Sequence, residues 1–307
     1  MNYDIKIINN YEGKGRLEFN RVNFLITHIK NIAQKSLLLL LYGYSKVSLD
    51  PFLKKHLEFF LNQAKSVDEN VVFTIDAEYF KNIPVQLRLF EKIYPLDKLT
   101  PMALVIQSFH AALSDNGDKN LLDVPLIEQL LKFKKFFHDD KEKILLTNRN
   151  TIPEIEFSRK DIQKIEQLYT FIPTPQKITV AGEVDEMKFS KEQVILKTAD
   201  NQKIIVVVKK KEFEHLKEFF SKEIQIFGMA HFKPGGQLSY IEMEKFETAD
   251  SRLMKMFAKK PHKMTLQQQI AFQFQQDKKP NPIDDLIGKW PGDESLEELL
   301  QMLKNLD

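Results

Sequence analysis

The 307-residue chain contains no cysteine, which excludes disulfides, thiolate metal sites and a cysteine nucleophile. It has only ten glycines, and neither GxGxxG nor GxxxxGK[ST] occurs, so the common phosphate-cradling loops are missing. The longest apolar run, at 37–42, is far shorter than the roughly 20 residues that span a bilayer. The first residues lack the pattern of a signal peptide. These absences predict a cytoplasmic protein.

Charge and catalytic patterns do not indicate an enzyme. The net charge of +2 supplies no global field for nucleic acid or membrane, and neither HExxH nor GxSxG occurs. A histidine followed directly by two carboxylates occurs at 138–140, just after an amphipathic helix. We interpret this stretch as a solvated helix end, because three consecutive residues converge on one ion only with a special bend. The sequence therefore predicts a non-catalytic protein with no cofactor and no metal, and an enzyme of unfamiliar type is the less favoured alternative.

Residues 1–170 are expected to form a helix-rich α+β domain with a small sheet. Alternating patterns predict strands at 3–8, 71–76, 143–147 and 154–157. Helical spacing predicts a helix from Asn20, its expected N-cap, to 41. A capping residue followed closely by proline predicts the start of a helix at Asp50, Thr100 and Asp123. The helix from Asp50 is expected to run to 65. Ser158 is expected to cap a further helix.

Residues 171–249 show a different pattern. Two prolines within 172–176 punctuate the chain. Three strands, a helix and two strands then follow, which is the order of the OB-fold, a small Greek-key barrel. Another five-stranded half-barrel of the same order is the rival. Gly182 and Gly228 fall where strands of a closing barrel must bend. The predicted strands are 177–187, 192–199, 203–209, 223–232 and 237–246, and the predicted helix is 211–222.

An OB-like barrel raises the question of single-strand binding, which uses basic grooves and stacking aromatics. Basic and acidic residues are equal in number between 175 and 247, whereas strand binders usually carry a basic excess. The best local patch consists of Lys209, Lys210 and Lys211, but acids follow it at once. We therefore treat nucleic-acid binding as the alternative function. The barrel aromatics are expected in the core: Phe189, Phe213, Phe219, Phe220, Phe227, Phe232 and Tyr240.

Residues 250–307 are expected to be a linker and a partner-docking tail, basic at first and acidic from 280 onward. Ser295 and Glu298 form a capping box ahead of a leucine stripe. A helix of about eleven residues is marginal alone in water, so it must dock either on its own fold or on a partner. The single tryptophan beside it is typical of helix-in-groove recognition. The predicted partner-binding residues are Lys289, Trp290, Pro291, Asp293, Glu294, Leu296, Leu299, Leu300 and Leu303.

The segment "GKWPGDESLEELLQML" resembles a G-x-W-P-G-D-E motif that ends small bacterial proteins, many of them neighbours of PIN-domain ribonuclease toxins or proposed antitoxins. Residues 175–247 are similar to an uncharacterised bacterial family, whereas the N-terminal half matches it only in general pattern. The resemblance implies a toxin–antitoxin or bacterial defence locus and a PIN-like nuclease as protein partner. It implies no catalytic site. In this hypothesis Lys289 reaches the acidic metal site of the nuclease, and Trp290 and the Leu stripe anchor the tail. In the alternative version, the acidic remainder of the tail faces a basic rim of the nuclease, where RNA would bind.

Overall fold

Two separate β structures organise the fold, which we obtained as a computed structural model. It describes residues 1–263 except 69, 82, 84–95 and 149–152, together with residue 267. The chain divides into two units, Met1–Lys263 and Met264–Asp307, and the elements below all lie in the first. The first unit contains helices, a five-stranded sheet and a closed five-stranded barrel. The predicted α+β class with a small OB-like barrel is thereby confirmed.

The sheet of the N-terminal half is antiparallel throughout, in the order β2-β3-β1-β4-β5. The central strand β1 alternates as its sequence predicts, with Tyr3, Ile5 and Ile7 turned into the core. It pairs with β3 on one side and with β4 on the other. The five strands are β1 (Asn2–Ile8), β2 (Phe59–Val67), β3 (Asn70–Ala77), β4 (Lys143–Asn148) and β5 (Ile155–Ser158).

Helices pack together with this sheet around one hydrophobic core. The long helix α1 begins at Phe19 after Glu18, two residues before the position expected from an Asn20 cap. It ends where Gly43 adopts the left-handed conformation and donates its N–H to the Leu39 carbonyl. Thr100, Asp123 and Ser158 cap helices as predicted. The helices are α1 (Phe19–Tyr42), α2 (Pro51–Lys54), α3 (Pro101–Leu113), α4 (Val124–Leu131) and α5 (Arg159–Thr170).

The helix predicted from Asp50 to 65 is wrong over most of its length. Only α2 and a single 3₁₀ turn are helical, and the chain then enters strand β2. Val67 pairs with Asn70 at the end of the ladder, and Asp68 adopts a positive φ, which aspartate tolerates better than most residues. Strand pairing with β3 therefore overrides a local composition that favours helix.

The barrel has the strand order β10-β8-β7-β6-β9 and closes where β9 and β10 pair. Its one parallel contact joins β8 to β10, with Ile241 opposite Val206. This connectivity, with a helix between the third and fourth strands, matches the predicted order. The elements are β6 (Gln176–Lys188), β7 (Gln193–Lys197), β8 (Lys203–Val207), α6 (Lys210–Leu216), β9 (Glu223–Phe232) and β10 (Leu238–Thr248).

The two glycines singled out in the barrel lie at close strand contacts. A Cβ at Gly228 would stand 2.2 Å from the Glu242 carbonyl oxygen, and one at Gly182 would stand 2.6 Å from the Lys197 carbonyl oxygen. Each glycine also lies near a shift of strand register, which bends the strand and helps to close a small barrel. Both positions therefore require glycine for space.

The stretch after the barrel is better packed than the sequence predicts. Asp250 caps a short helix, α7 (Ser251–Met256), and Met254 and Ala258 are buried. The Ala181 amide donates to the Phe257 carbonyl at 3.1 Å, which joins this stretch to β6. Within the described part of the chain, no helix has both the length and the apolar character needed to cross a membrane.

Candidate functional site

One face of the barrel is packed against the N-terminal α+β domain. The contacts come from the β6–β7 connection, strand β7 and the β9–β10 loop, which in OB-like barrels belong to the face that binds ligands. Lys191 forms an ion pair with Asp50 at 2.9 Å, and the Gln193 side-chain amide donates to the Tyr42 carbonyl at 3.0 Å. Lys233 donates to the carbonyl of Asn120 at 2.9 Å. The usual ligand-binding face of the barrel is thus largely covered from within the same chain.

A cleft of about 640 Å³ remains open at this junction, and we call it the seam cleft. Its size falls in the range of small-molecule sites. It is lined by α1 and the residues after it, by the start of α4, by the end of α5 with the proline-containing connection, and by β9 and β10. The residues used below are Lys35, Tyr44, Lys46, Asp123, His231, Ser239 and Tyr240.

Three aromatic rings form a stack at the seam cleft. The centre of the Tyr240 ring lies 4.1 Å from the centre of the Tyr44 ring and 4.4 Å from that of the His231 ring. The planes of the His231 and Tyr240 rings differ by only 9°. Burial raises the pKa of Tyr44 far above its ordinary value, and Tyr240 raises it further. Burial lowers the pKa of His231, although Glu242 opposes this shift. The stack is therefore uncharged at neutral pH and presents aromatic surface to the cleft.

Asp123 fixes the wall of the cleft next to this stack. It is fully buried and accepts hydrogen bonds from both the backbone N–H and the hydroxyl of Ser45, each at 2.7 Å. It also caps α4 by accepting from the Leu126 amide at 3.1 Å. Burial raises the pKa of Asp123, and its hydrogen-bond donors oppose the shift. Because Ser45 stands between Tyr44 and Lys46, Asp123 holds both of these residues in place.

Several polar groups at the cleft lack partners among the described residues. The Ser239 hydroxyl is buried without a hydrogen bond. Lys35 has neither an ion pair nor a hydrogen bond in that part of the chain, and burial lowers its pKa against the pull of Asp123 and Glu128. Most buried polar groups in proteins are satisfied, so unpaired groups that converge on one cleft indicate a binding site.

A side cavity of about 120 Å³ adjoins the seam cleft at Ser239. Three lysines line it, Lys203, Lys233 and Lys260. Burial lowers the pKa of both Lys233 and Lys260. Lys203 is paired with Asp185 and Glu186 on the barrel surface. No carboxylate belongs to the described residues that line the side cavity, although Asp123 and Asp118 oppose the lowering of the Lys233 pKa.

Most residues predicted to form the functional site lie outside the described part of the chain. This holds for every predicted partner-binding residue, from Lys289 to Leu303, and the tail prediction therefore stays untested. Lys209, Lys210 and Lys211 are described and exposed at the start of α6, away from the residues that line the seam cleft.

The prediction that the barrel aromatics are core residues is correct for some of them only. Phe213 and Phe232 are 2% exposed. Phe189 and Phe220 are 44% and 53% exposed, so for them the prediction is wrong. The Lys217 ammonium lies 5.0 Å from the centre of the Phe189 ring. Tyr240 belongs to the aromatic stack of the seam cleft.

The histidine–aspartate stretch at 138–140 is an exposed turn, in line with the interpretation as a solvated segment. A buried carboxylate, Glu142, organises this turn by accepting from the backbone N–H groups of His138 and Tyr11 and from the Arg21 guanidinium. No three His, Cys, Asp or Glu side chains within the described ranges are grouped closely enough to hold a metal ion.

Sequence reasoning missed the seam cleft, because its residues are separated by up to about two hundred positions along the chain. Neither Lys35 nor Ser239 belongs to a motif. One local signal was available, since the prolines at 173 and 175, read above as punctuation, line the cleft. Prolines that join two structured parts can also shape a site at their junction.

The fold and the cleft define an α+β protein whose OB-like barrel is packed against a helix-rich domain. Comparisons with family models, with curated proteins and with solved structures found no match to this chain.

Proposed function

We propose that this chain is a non-catalytic binding protein of the bacterial cytoplasm that acts as antitoxin or regulatory partner of a PIN-like nuclease and docks through residues 281–307. The motif of the tail and its resemblance to the ends of toxin-neighbour proteins support this proposal. In the proposed complex Trp290 and the leucine stripe fill a groove on the partner, and Lys289 approaches the acidic metal site of the nuclease.

The observation that favours a protein partner over nucleic acid is the covered face of the barrel. Strand-binding OB-folds need that face, with its loops, open to a backbone of several nucleotides. Here Lys191, Gln193 and Lys233 contact the α+β domain instead. With this face engaged by the α+β domain, the proposal assigns recognition of the macromolecular partner to the tail.

Co-purification tests the proposal. The full-length protein and a form lacking 281–307 are expressed with the neighbouring nuclease of the native locus, and the amount of nuclease retained is measured. We expect the truncated protein to stay folded and to lose the nuclease. A full-length Trp290→Ala variant should lose most of it, and a Tyr11→Ala variant, which changes an exposed ring of the N-terminal domain, should retain it. Retention by the truncated protein contradicts the proposal.

A nucleic-acid-binding role in a defence system is the second candidate. It is favoured by the exposed Lys209–Lys211 patch and by Lys217 stacked over the exposed Phe189. Binding of a fluorescent single strand to the full chain, measured against salt concentration, tests it. If this patch binds strands, the triple change Lys209→Ala, Lys210→Ala, Lys211→Ala weakens binding and reduces the salt slope by about two units, since each phosphate contact on a single strand contributes about 0.7. Equal binding by the triple variant excludes the patch.

A further inference from the structure

The seam cleft carries chemistry that neither the tail hypothesis nor the barrel surface uses. We propose that it binds a nucleoside monophosphate, with the phosphate directed to Ser239 and the lysines and the base against the Tyr44–Tyr240–His231 stack. The described residues that line it all lie within Met1–Lys263.

The unpaired polar groups call for an anion. Ser239 supplies a buried hydroxyl with no partner, and Lys35 supplies a partly buried ammonium with no ion pair among the described residues. An anion with several acceptor oxygens, such as a phosphate, accepts hydrogen bonds from both ammonium and hydroxyl groups. A purely apolar ligand would leave both groups without a hydrogen bond, at their desolvation cost.

The charges around Ser239 indicate a phosphate rather than a metal or a cation. Lys46 and Lys35 line the seam cleft, and Lys233 and Lys260 line the side cavity beyond the hydroxyl. Two acidic residues line the seam cleft among the described residues. The Asp123 carboxylate already accepts hydrogen bonds from the Ser45 and Leu126 amides, and Glu128 is exposed. Lysines line both cavities that share Ser239, and this excess of ammonium groups favours a negative ligand.

The remaining surface of the cleft suits a flat ring. The aromatic stack is uncharged, and part of the cleft wall is apolar, including Val124, Pro125, Ile172 and Phe232. A cleft of about 640 Å³ accommodates a molecule of the size of a mononucleotide. Aromatic side chains hold nucleobases by stacking, and this works for every base because each has a π-face.

Isothermal titration calorimetry with the full chain tests the proposal, using AMP, GMP, CMP and UMP as probes. Adenosine and inorganic phosphate serve as part-ligands. We expect at least one mononucleotide to bind. Adenosine and inorganic phosphate should each bind at least tenfold more weakly than the mononucleotide with the highest affinity. The site is overturned if none of the four nucleotides binds, or if inorganic phosphate binds as tightly as the best of them.

Variants locate the binding. Lys35→Ala and Ser239→Ala should each weaken the best mononucleotide at least fivefold, whereas Lys30→Ala, an exposed lysine on the same helix, should not change its affinity. Ser239→Ala should also leave the melting temperature of the free protein equal or higher, because it removes an unsatisfied hydroxyl. Unchanged affinity in both cleft variants, or an equal loss in the Lys30→Ala control, overturns the proposal.

Discussion

The buried carboxylate of Glu142 should be one of the most sensitive polar positions in the protein. Its side chain is 0% exposed and pairs with Arg21, which is 5% exposed, at 2.8 Å. One carboxylate oxygen accepts from Arg21 and from the Tyr11 amide, and the other accepts from the His138 amide. Glu142→Gln keeps the shape but has only one acceptor oxygen, so its amide group must face a backbone N–H donor.

The expected cost follows from this geometry. Breaking a buried ion pair by removing one partner costs about 3–5 kcal/mol. We expect the lower end, about 3 kcal/mol, because Arg21 keeps its ion pair with Glu12 at 2.5 Å and its bond to the Phe136 carbonyl at 3.1 Å. At roughly 2 °C per kcal/mol for a protein of this size, the melting temperature should fall by about 6 °C.

An exposed pair of similar length provides the control. Lys143 and Glu156 lie 2.6 Å apart but are 45% and 42% exposed, so Glu156→Gln should cost less than about 1 kcal/mol. Urea unfolding followed by far-UV circular dichroism measures both variants, which avoids the single tryptophan because it lies in the tail. If Glu142→Gln costs no more than Glu156→Gln, burial does not set the strength of this network and the reasoning is refuted.

Three further predictions concern the barrel and the seam. Gly228→Ala should destabilise the protein by about 1–3 kcal/mol in urea unfolding, since the new Cβ would stand 2.2 Å from the Glu242 carbonyl oxygen; a neutral result would show that β10 can move away. Asp123→Ala should cost about 2–4 kcal/mol in the same assay, because it removes a helix cap and leaves the Ser45 amide buried without a partner. Burial lowers the pKa of His231, so its contribution to the free energy of unfolding should be complete above pH 6.5 and should be lost as the pH falls through this lowered pKa. In urea unfolding measured from pH 7.5 to 5, His231→Gln should make the free energy of unfolding less dependent on pH. An unchanged pH profile in this variant would count against the prediction.

The barrel was predictable because its signals are local. Alternating apolar residues mark each strand, the turn residues at 199–202 and 233–237 separate them, and Gly182 and Gly228 mark the bends. The helices capped by Thr100 and Asp123 were equally predictable from the sequence, because the capping side chain and the proline that lacks an N–H lie close together in the chain. Local chemistry decides both kinds of element.

Strand β2 and the seam cleft were not predictable, for the same physical reason. The sequence of β2 favours helix, and only its pairing with β3, a tertiary contact, makes it a strand. Ser239 reads as an ordinary strand residue until the fold buries its hydroxyl beside a cleft that Lys35 enters from α1. A lack of hydrogen-bond partners is a property of the assembled fold, and no pattern in one segment carries it.

The position of the barrel bears on where the two proposed ligands, a nuclease and a mononucleotide, would bind. Lys191, Gln193 and Lys233 join the barrel to the α+β domain, so the open binding face of an isolated OB-like barrel has become the junction between two parts of one chain. Any ligand recognised there must be small enough for the seam cleft, and it contacts both parts at once. Binding a small molecule between α1, α4 and β10 would stabilise this junction by RT ln(1 + [L]/Kd), that is, with the logarithm of its concentration once this exceeds the dissociation constant. Recognition of a large partner is then left to surfaces beyond the junction, which is the role proposed for the tail.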